Sequence, residues 1–342
     1  MAASVSMPWG VFGLVLIVAM ALSAGLIVAL RPYLARYALA RPNARSSHSK
    51  PTPQGGGIAV VAATLAAAWL GAILSTTDIT GGIQLSVLSG AAVLLALVGA
   101  IDDIRGLSAE LRLLMQVLAV GMVVAALPAE FSIVPQLPRA LERALLLLGG
   151  VWFVNLVNFM DGIDWMTVAE VVPITAALAL LGMLGAAPPR AVLVAVALLG
   201  ATVAFAPFNR PVARLFLGDV GSLPIGLLLG WVLMTLAGRG HLAAALLLPM
   251  YYLADASITV ARRIIRREPF WQAHRTHFYQ RATDGGFSVQ EIAVRVFVLN
   301  LALAALALVS AIEPDKLVDL ATLLLGGALV AWMLLTFARG KR

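Results

Sequence analysis

Residues 9–30 read WGVFGLVLIVAMALSAGLIVAL, a run of 22 residues without a charged side chain. A helix needs about 20 mostly apolar residues to cross a bilayer, so this run predicts a transmembrane helix. No small-residue cleavage site clearly follows it, which favours a retained span over a cleaved signal peptide. The whole chain is 61% hydrophobic and only 12% charged, whereas soluble domains carry about 25% charged residues. The composition therefore predicts an all-α integral membrane protein and excludes an ordinary soluble domain.

Breaks at proline, glycine and clusters of charge divide the 342 residues into a single membrane domain of about eleven spans. The predicted spans are 9–30, 57–75, 83–101, 111–128, 141–157, 165–184, 190–206, 222–237, 241–260, 292–312 and 317–337. Arginine and lysine collect in cytoplasmic loops, and the strongest basic clusters, Arg262–Arg267 and Arg339–Arg342, fall on one side if the spans alternate. The amino terminus is then outside and the carboxyl terminus inside. The chain has no cysteine, which excludes disulfides, Cys–zinc sites and a thiol nucleophile.

Polar groups of the kinds that handle phosphate or metal gather on the predicted cytoplasmic face. The loops concerned are 31–56, 102–110, 158–164, 207–221 and 261–291, and we expect them to form the active site. Asp102 and Asp103 follow the third span in GAIDDIRGLSAELRLLMQ. Adjacent carboxylates repel each other, so a buried pair favours a hard cation such as Mg²⁺. The alternative is a solvated helix end or a cap.

The stretch NLVNFMDGIDW, residues 155–165, places Asn158, Asp161 and Asp164 at intervals of three. If the stretch is helical, these side chains share one face, and they are candidates for binding nucleotide or metal. The alternative is an interfacial helix end.

A second acidic motif opens the eighth span, where FNRPVARLFLGDVGSLPIG contains Asn209, Asp219 and Gly221. Glycine allows close approach of a backbone to phosphate, and a helix amino terminus favours an anion. Asp219 is thus a candidate metal ligand, and Asn209 and Gly221 are candidate substrate-binding residues.

The remaining candidates are basic or lie within spans. His274, Arg275 and His277 in FWQAHRTHFYQR, with Lys50 of SHSKPTPQGGG, favour contact with phosphate, although the histidine spacing could also ligate a metal. The alternative is a solvated basic loop on anionic lipid, and the segment Arg262–Arg267 could attract either such lipid or a nucleotide. Two acids inside predicted spans, Glu170 and Asp255, are functional candidates by position, with a structural hydrogen bond as the alternative for Glu170.

Four segments in this order, DDIRGLSAELRLLMQ, NLVNFMDGID, FLGDVGS and HRTHFYQR, resemble the polyprenyl-phosphate N-acetylhexosamine-1-phosphate transferases. These are glycosyltransferases of family 4 in the broad sense, to which phospho-N-acetylmuramoyl-pentapeptide transferase is related. The resemblance covers nearly the whole chain. The HRTHFYQR form is similar to that of relatives that start O-antigen on a 6-deoxy-N-acetylhexosamine, while Trp165 stands where relatives often have glycine. N-acetylglucosamine and muramoyl-pentapeptide substrates remain alternatives.

The resemblance implies transfer of a sugar-1-phosphate from a UDP-N-acetylhexosamine to undecaprenyl phosphate, with release of UMP, at the cytoplasmic face of a bacterial inner membrane. It implies Mg²⁺, or alternatively Mn²⁺, as cofactor, membrane lipid as partner, no nucleic acid, and a homodimer as in the related muramoyl enzyme. By resemblance, Asp219 and Asp103 would be metal ligands. The catalytic set would be Asp102, Asp103, Asp161, Asp164, His274 and His277, and the substrate-binding set Asn158, Arg275, Lys50, Asn209 and Gly221.

Two questions stay open at this point. The lipid phosphate could attack the β-phosphorus directly, or an aspartate could attack first and form a covalent intermediate; we favour direct attack. A multi-span transporter is the alternative from another class. Carriers usually place their sites near the midplane of the bilayer, whereas the candidates here lie in loops on one face.

Overall fold

The computed structural model describes residues 9–40, 51–75, 79–269, 274–313 and 315–341. Two short strands and thirteen helices follow in this order: α1 (Trp9–Tyr37), β1 (Leu39–Ala40), β2 (Thr52–Pro53), α2 (Gly57–Ser75), α3 (Ile79–Arg105), α4 (Ala109–Ala125), α5 (Arg139–Met160), α6 (Met166–Met183), α7 (Pro189–Phe205), α8 (Asp219–Ala237), α9 (Leu242–Leu247), α10 (Met250–Ile265), α11 (Phe278–Asp284), α12 (Val289–Ile312) and α13 (Lys316–Arg339). The strands β1 and β2 pair antiparallel.

Eight of the described helices are long and apolar enough to cross a membrane, namely α1, α2, α3, α5, α6, α8, α12 and α13. The helix α7 is apolar but shorter. This confirms the prediction of an all-α protein with many spans; the count of eleven and the direction of the chain stay predictions.

The ninth predicted span, 241–260, is not one helix. It is divided into α9 and α10, and Pro249 stands at the amino-terminal cap of α10. Proline has no N–H to donate and its ring obstructs the preceding turn, which explains the break. Beyond it, α10 ends in arginines, and the short α11 lies inside the loop predicted at 261–291. The prediction of one span over 241–260 ignored Pro249 because the residues on both sides of it are apolar.

The central helix is α8, of which nearly every residue is buried. It packs against α3 and α5 along its length and against α2 at its start. Small residues allow this close approach: a Cβ on Gly57 would lie 2.2 Å from the Cα of Gly221, and one on Gly99 would lie 2.3 Å from the backbone of Asp219. The packing brings the carboxyl-terminal ends of α3 and α5 to the start of α8, and the candidate acids lie there.

Candidate active site

The start of α8 is capped by a carboxylate from another helix. Asp103, near the end of α3, accepts hydrogen bonds from the backbone N–H groups of Asp219 (2.9 Å) and Val220 (3.2 Å), and also from the amide of Gln54. The first N–H groups of a helix have no partner within it and favour an anion. Gly218, with φ at +78°, turns the chain into this cap. Asp103 therefore fixes where α8, and with it Asp219, begins.

Asp219 is held on one side and open on the other. Its Oδ1 accepts a hydrogen bond of 2.8 Å from Asn158, whose amide also donates to Ser222 at 2.9 Å. Its Oδ2 lies 3.9 Å from the Arg112 guanidinium, and the side chain is 29% exposed. The carboxylate is thus oriented by α5 while part of it stays accessible to a ligand.

Arg112 also holds the second aspartate of the DD pair. Its Nη1 lies 2.9 Å from Asp102 Oδ2, and the other oxygen of Asp102 accepts from the backbone N–H of Leu107. Arg112 thus lies close to two carboxylates, Asp102 and Asp219, while Asp103 binds the backbone at the start of α8. Like charges this close repel each other unless a cation balances them. Arg112 was not among the predicted site residues, although it lies in the same quoted segment as Asp102 and Asp103.

Asp161 stands just past the end of α5 and accepts a hydrogen bond from Thr167. Its removal from water raises its pKa to about 7, and repulsion from Asp103 and Asp164 adds to this, while the Thr167 hydrogen bond acts against it. The two carboxylates that repel Asp161 are thus Asp103, which caps α8, and Asp164. Near neutral pH the group exists in both protonation states, as suits a group that exchanges protons or meets a cation.

Asp164 does not share a helix face with Asn158 and Asp161, which corrects the prediction from their spacing. The helix α5 ends at Met160, so residues three apart beyond Met160 do not lie on one helix face. Asp164 is buried and accepts a hydrogen bond of 2.9 Å from the backbone N–H of Ala213. It ties the DGID segment to the loop before α8.

Asn209 makes a second such tie. Its side-chain oxygen accepts from the backbone N–H of Trp165 at 2.8 Å, its amide donates to the carbonyl of Leu215 at 3.1 Å, and it is buried. Trp165, with φ at +64°, donates its indole N–H to the carbonyl of Ala206 at 2.7 Å. Asn209 thus links the DGID segment to the loop before α8. Substrate binding by Asn209 stays a prediction.

Asp255 anchors the histidine loop. It is fully buried in α10 and accepts from the backbone N–H groups of Phe278 (3.0 Å) and Tyr279 (3.2 Å), the first residues of α11. The hydroxyls of Tyr251 and Thr259 lie 3.3 Å from its oxygens. His277 Nδ1 lies 3.1 Å from Asp255 Oδ1, so a proton on Nδ1 is shared with the carboxylate and Nε2 is left for other partners. The sequence made Asp255 a functional candidate by its position in a predicted span, but it predicted no specific role.

Tyr279 brings this loop to the end of α5. Its hydroxyl donates to the carbonyl of Phe159 at 2.9 Å, and a Cβ on Gly162 would lie 2.1 Å from that hydroxyl. Gly162 is therefore required at this position, which explains the glycine of the DGID segment. His277 stacks on both Tyr279 and His274, with the centroid of the His274 ring 5.0 Å away. The histidines thus lie beside the segment that carries Asn158 and Asp161.

The other predicted site residues are placed as follows. Arg275 is directed along α11, where it donates to Thr283 at 3.0 Å and lies 3.5 Å from Asp284. Gly221 is buried against Gly57 at the contact of α8 with α2. Lys50 lies outside the described residues. A phosphate contact by any of the three stays a prediction.

A divalent cation fits the charge and the donor atoms of the acid cluster. Among the described residues, no group of three histidine, aspartate or glutamate side chains is arranged to hold a metal ion alone. Mg²⁺, however, is usually held by one or two carboxylates together with substrate phosphates and water. The free part of Asp219 and the excess of carboxylates over Arg112 meet that need. Asp103 has less to offer, since three donors already occupy its oxygens.

Comparison with known proteins agrees with the motifs. A model described as glycosyl transferase family 4 matches residues 85–237, which include Asp102, Asp103, Asp161 and Asp219. The probable undecaprenyl-phosphate N-acetylglucosaminyl 1-phosphate transferase of Bacillus subtilis is 24% identical over 284 residues, which are 80% of this chain and 77% of the relative. The decaprenyl-phosphate N-acetylglucosaminephosphotransferase of Mycolicibacterium smegmatis is 32% identical over 225 residues, 59% of this chain and 54% of the relative.

A relative with a different name also matches. A phospho-N-acetylmuramoyl-pentapeptide-transferase of Wolbachia is 30% identical over 210 residues, 55% of this chain and 61% of the relative. All three relatives are named as transferases, which decides for an enzyme over the transporter alternative. The chain therefore matches glycosyl transferase family 4 over residues 85–237, and its similarity to these relatives indicates a membrane-embedded enzyme of the glycosyl-1-phosphate transferase class.

Proposed function

We propose that the protein transfers an N-acetylhexosamine-1-phosphate from a UDP-sugar to undecaprenyl phosphate, or a similar polyprenyl phosphate, and releases UMP. One observation carries the proposal: Asp219 is oriented by Asn158 yet partly open, within a group of three carboxylates that, among the described residues, includes only one arginine, Arg112. A reaction between two phosphates needs charge neutralisation above all, and this group provides a place for the cation.

The residues that would hold Mg²⁺, or Mn²⁺, are Asp219 first and Asp103 second. When bound, the cation would neutralise the diphosphate of the donor and stabilise the leaving UMP. Asp103 has a further task, since its hydrogen bonds to Asp219 and Val220 set the start of α8. Asn158 keeps the Asp219 carboxylate in one orientation.

The reaction proceeds by direct displacement in this proposal. An oxygen of the lipid phosphate attacks the β-phosphorus of the UDP-sugar, the bond from that phosphorus to the bridging oxygen breaks, and UMP leaves. Asp161, with its pKa of about 7, or Asp102 would accept a proton from the lipid phosphate. His274 and His277, which lie beside the end of α5, would contact the diphosphate or the sugar.

The location of the cluster supports both substrates. Asp103 ends an apolar span and Asp219 begins another, so the site lies at the edge of the predicted membrane region, where a lipid phosphate can meet a soluble nucleotide. The positive charges at the chain end and after α10 favour the cytoplasmic edge of the inner membrane. The product, a lipid-diphosphate-sugar, would start O-antigen or another cell-envelope polysaccharide, with a 6-deoxy-N-acetylhexosamine or N-acetylglucosamine as the sugar.

The test is an assay of UMP release by the purified protein. Each UDP-N-acetylhexosamine of a panel is supplied with and without undecaprenyl phosphate, and with Mg²⁺ or with a chelator. We expect UMP only when donor, lipid phosphate and metal are all present, with one sugar preferred. Sugar or lipid movement without UMP release would contradict the proposal. A sugar-phosphate adduct on Asp102 or Asp103 in the absence of lipid would replace direct displacement by the covalent route.

A further inference from the structure

A cavity lined by arginine lies at the end of α10, where its lining residue Thr259 also contacts Asp255. Its volume is about 190 Å³, and it is formed by the end of α10, the chain after it and the start of α11. The residues that line it are Thr259, Arg262, Arg263, Arg266, Glu268, Thr276 and Arg281. The reaction proposed above assigns it no role.

The cavity holds more positive charge than the protein neutralises. Arg263 pairs with Glu268 at 2.9 Å, and its Nε is buried without a hydrogen-bond partner among the described residues. No carboxylate of the described residues forms an ion pair with Arg262, Arg266 or Arg281. Four arginines therefore face one glutamate. Cations held this close together repel one another, so an anion that enters the cavity is attracted strongly.

The arginines are fixed in part by an aromatic ring. The guanidinium of Arg262 lies 4.5 Å from the centre of the Phe278 ring, and that of Arg281 lies 5.9 Å from it. Phe278 is buried at the start of α11. The two hydroxyls of Thr259 and Thr276 add hydrogen-bonding groups to the lining. Several guanidinium groups with hydroxyls form the usual surroundings of a phosphate group.

The side chains next to these arginines indicate where the phosphate comes from. Ile264 is 53% exposed and Ile265 is 80% exposed, between Arg263 and Arg266 at the end of α10. Large apolar side chains beside arginines at the edge of the membrane region are typical of a helix end that lies in the lipid headgroup layer. A soluble anion would need the arginines but not the isoleucines.

We propose that this cavity binds the phosphate of an anionic membrane phospholipid, with Arg262, Arg266 and Arg281 as its ligands. The bound headgroup would hold the end of α10 against α11. Thr259 contacts Asp255, and Thr276 precedes His277, so the lipid is coupled to the residues that anchor the histidine loop.

The experiment measures lipid binding, not turnover. The full-length protein, purified in detergent, is titrated with phosphatidylglycerol or phosphatidylcholine, and bound lipids are counted by native mass spectrometry. The cavity variant is R266Q/R281Q. The control R36Q/R339Q removes the same amount of charge from two exposed arginines, at the ends of α1 and α13. The end of α13 itself contacts the chain beside α11, through Gly340 and Gly285. If the cavity variant does not purify as a monodisperse protein, Arg266→Gln alone replaces it, because that side chain is exposed.

We expect the wild type and the control to bind phosphatidylglycerol at least about tenfold more tightly than phosphatidylcholine, and the cavity variant to lose this preference. Equal loss in both variants would show a general charge effect and overturn the proposal, as would retention in the cavity variant. Displacement of bound phosphatidylglycerol by UMP or inorganic phosphate would also overturn it, because the cavity would then be a site for soluble anions.

Discussion

The helices α8 and α11 begin in the same way and serve different ends. At each start, an aspartate from another helix accepts the first backbone N–H groups: Asp103 at α8 and Asp255 at α11. Around Asp255 every neighbour is a donor, including His277, Tyr251 and Thr259, and the carboxylate is fully buried. Around Asp103 lie further carboxylates and one arginine, and Asp219 is partly exposed.

The difference separates a closed anchor from an open site. A carboxylate whose oxygens are all taken by protein donors has little left for a ligand, whereas repelling carboxylates remain short of positive charge. Asp255 therefore holds the histidine loop, while Asp219 is the group available to a cation. Substitutions at these and neighbouring acids test the distinction between the enclosed Asp255 and the partly exposed Asp219.

Asp219→Asn should have the largest effect. The amide keeps the size of the side chain but removes the charge, so we expect activity to fall by about 10³-fold or more, as for loss of a principal electrostatic group in other enzymes. The measurement is UMP release with saturating metal. Glu110→Gln, which removes an exposed carboxylate from the first turn of α4, should behave as wild type. Normal turnover in Asp219→Asn would remove the metal assignment.

Asp255→Asn should reduce activity through the loop it anchors. The amide keeps one acceptor oxygen, but its NH2 group cannot accept, so the N–H of either Phe278 or Tyr279 loses its partner, and a buried unpaired N–H costs about 1–3 kcal/mol. We expect a fall in activity of about ten- to a hundredfold and faster proteolysis within the loop after α10. Tyr251→Phe, which removes only one weak contact at 3.3 Å, is the matched control. If the loop keeps its protease resistance while activity falls as far as in Asp219→Asn, Asp255 is not merely an anchor.

Asp164→Ala, which leaves the Ala213 N–H without its acceptor, should affect stability more than chemistry. Asp164 binds the Ala213 N–H and lies buried behind the site. We expect a loss of about 1–3 kcal/mol of stability, seen as a lower melting temperature, with activity reduced by less than about tenfold at a temperature where the variant is folded. A loss of activity equal to that of Asp219→Asn, at unchanged melting temperature, would restore the catalytic role that the sequence predicted.

Asp161→Asn should change the response to pH. Because the pKa of Asp161 in the fold is about 7, above its ordinary value, the protonated form is favoured by folding. Ionisation as pH rises toward 7 therefore destabilises the protein, and the metal-free Asn variant should be the more thermostable above neutral pH. The wild-type activity should fall as pH drops below 7. If the variant keeps that acidic limb, another group causes it.

The comparison of α8 and α11 also shows what could be read from the sequence. The acids were found because carboxylates at the ends of apolar runs need a reason to be there, and Asp102, Asp103, Asp161 and Asp219 do meet. The shared face of Asn158, Asp161 and Asp164 was expected only if their stretch is helical, and that condition is not met because α5 ends at Met160. The ion pairs of Arg112 could not be predicted from the sequence. Asp102 is ten residues away in another helix, and Asp219 lies at the start of α8, far along the chain.

Composition determined that this chain is embedded in a membrane, because the runs of apolar residues depend on local chemistry alone, and the order of its four motifs gave the resemblance that implies a transferase. That Asp219 is partly exposed and Asp255 is enclosed follows only from the three-dimensional fold. That depends on which backbone N–H groups and side chains each carboxylate meets, and Asp103 meets the start of α8 across 116 positions of sequence. Hydrogen bonds between helices so far apart are set by packing at glycines such as Gly57 and Gly99, where the absence of a Cβ lets the backbones touch.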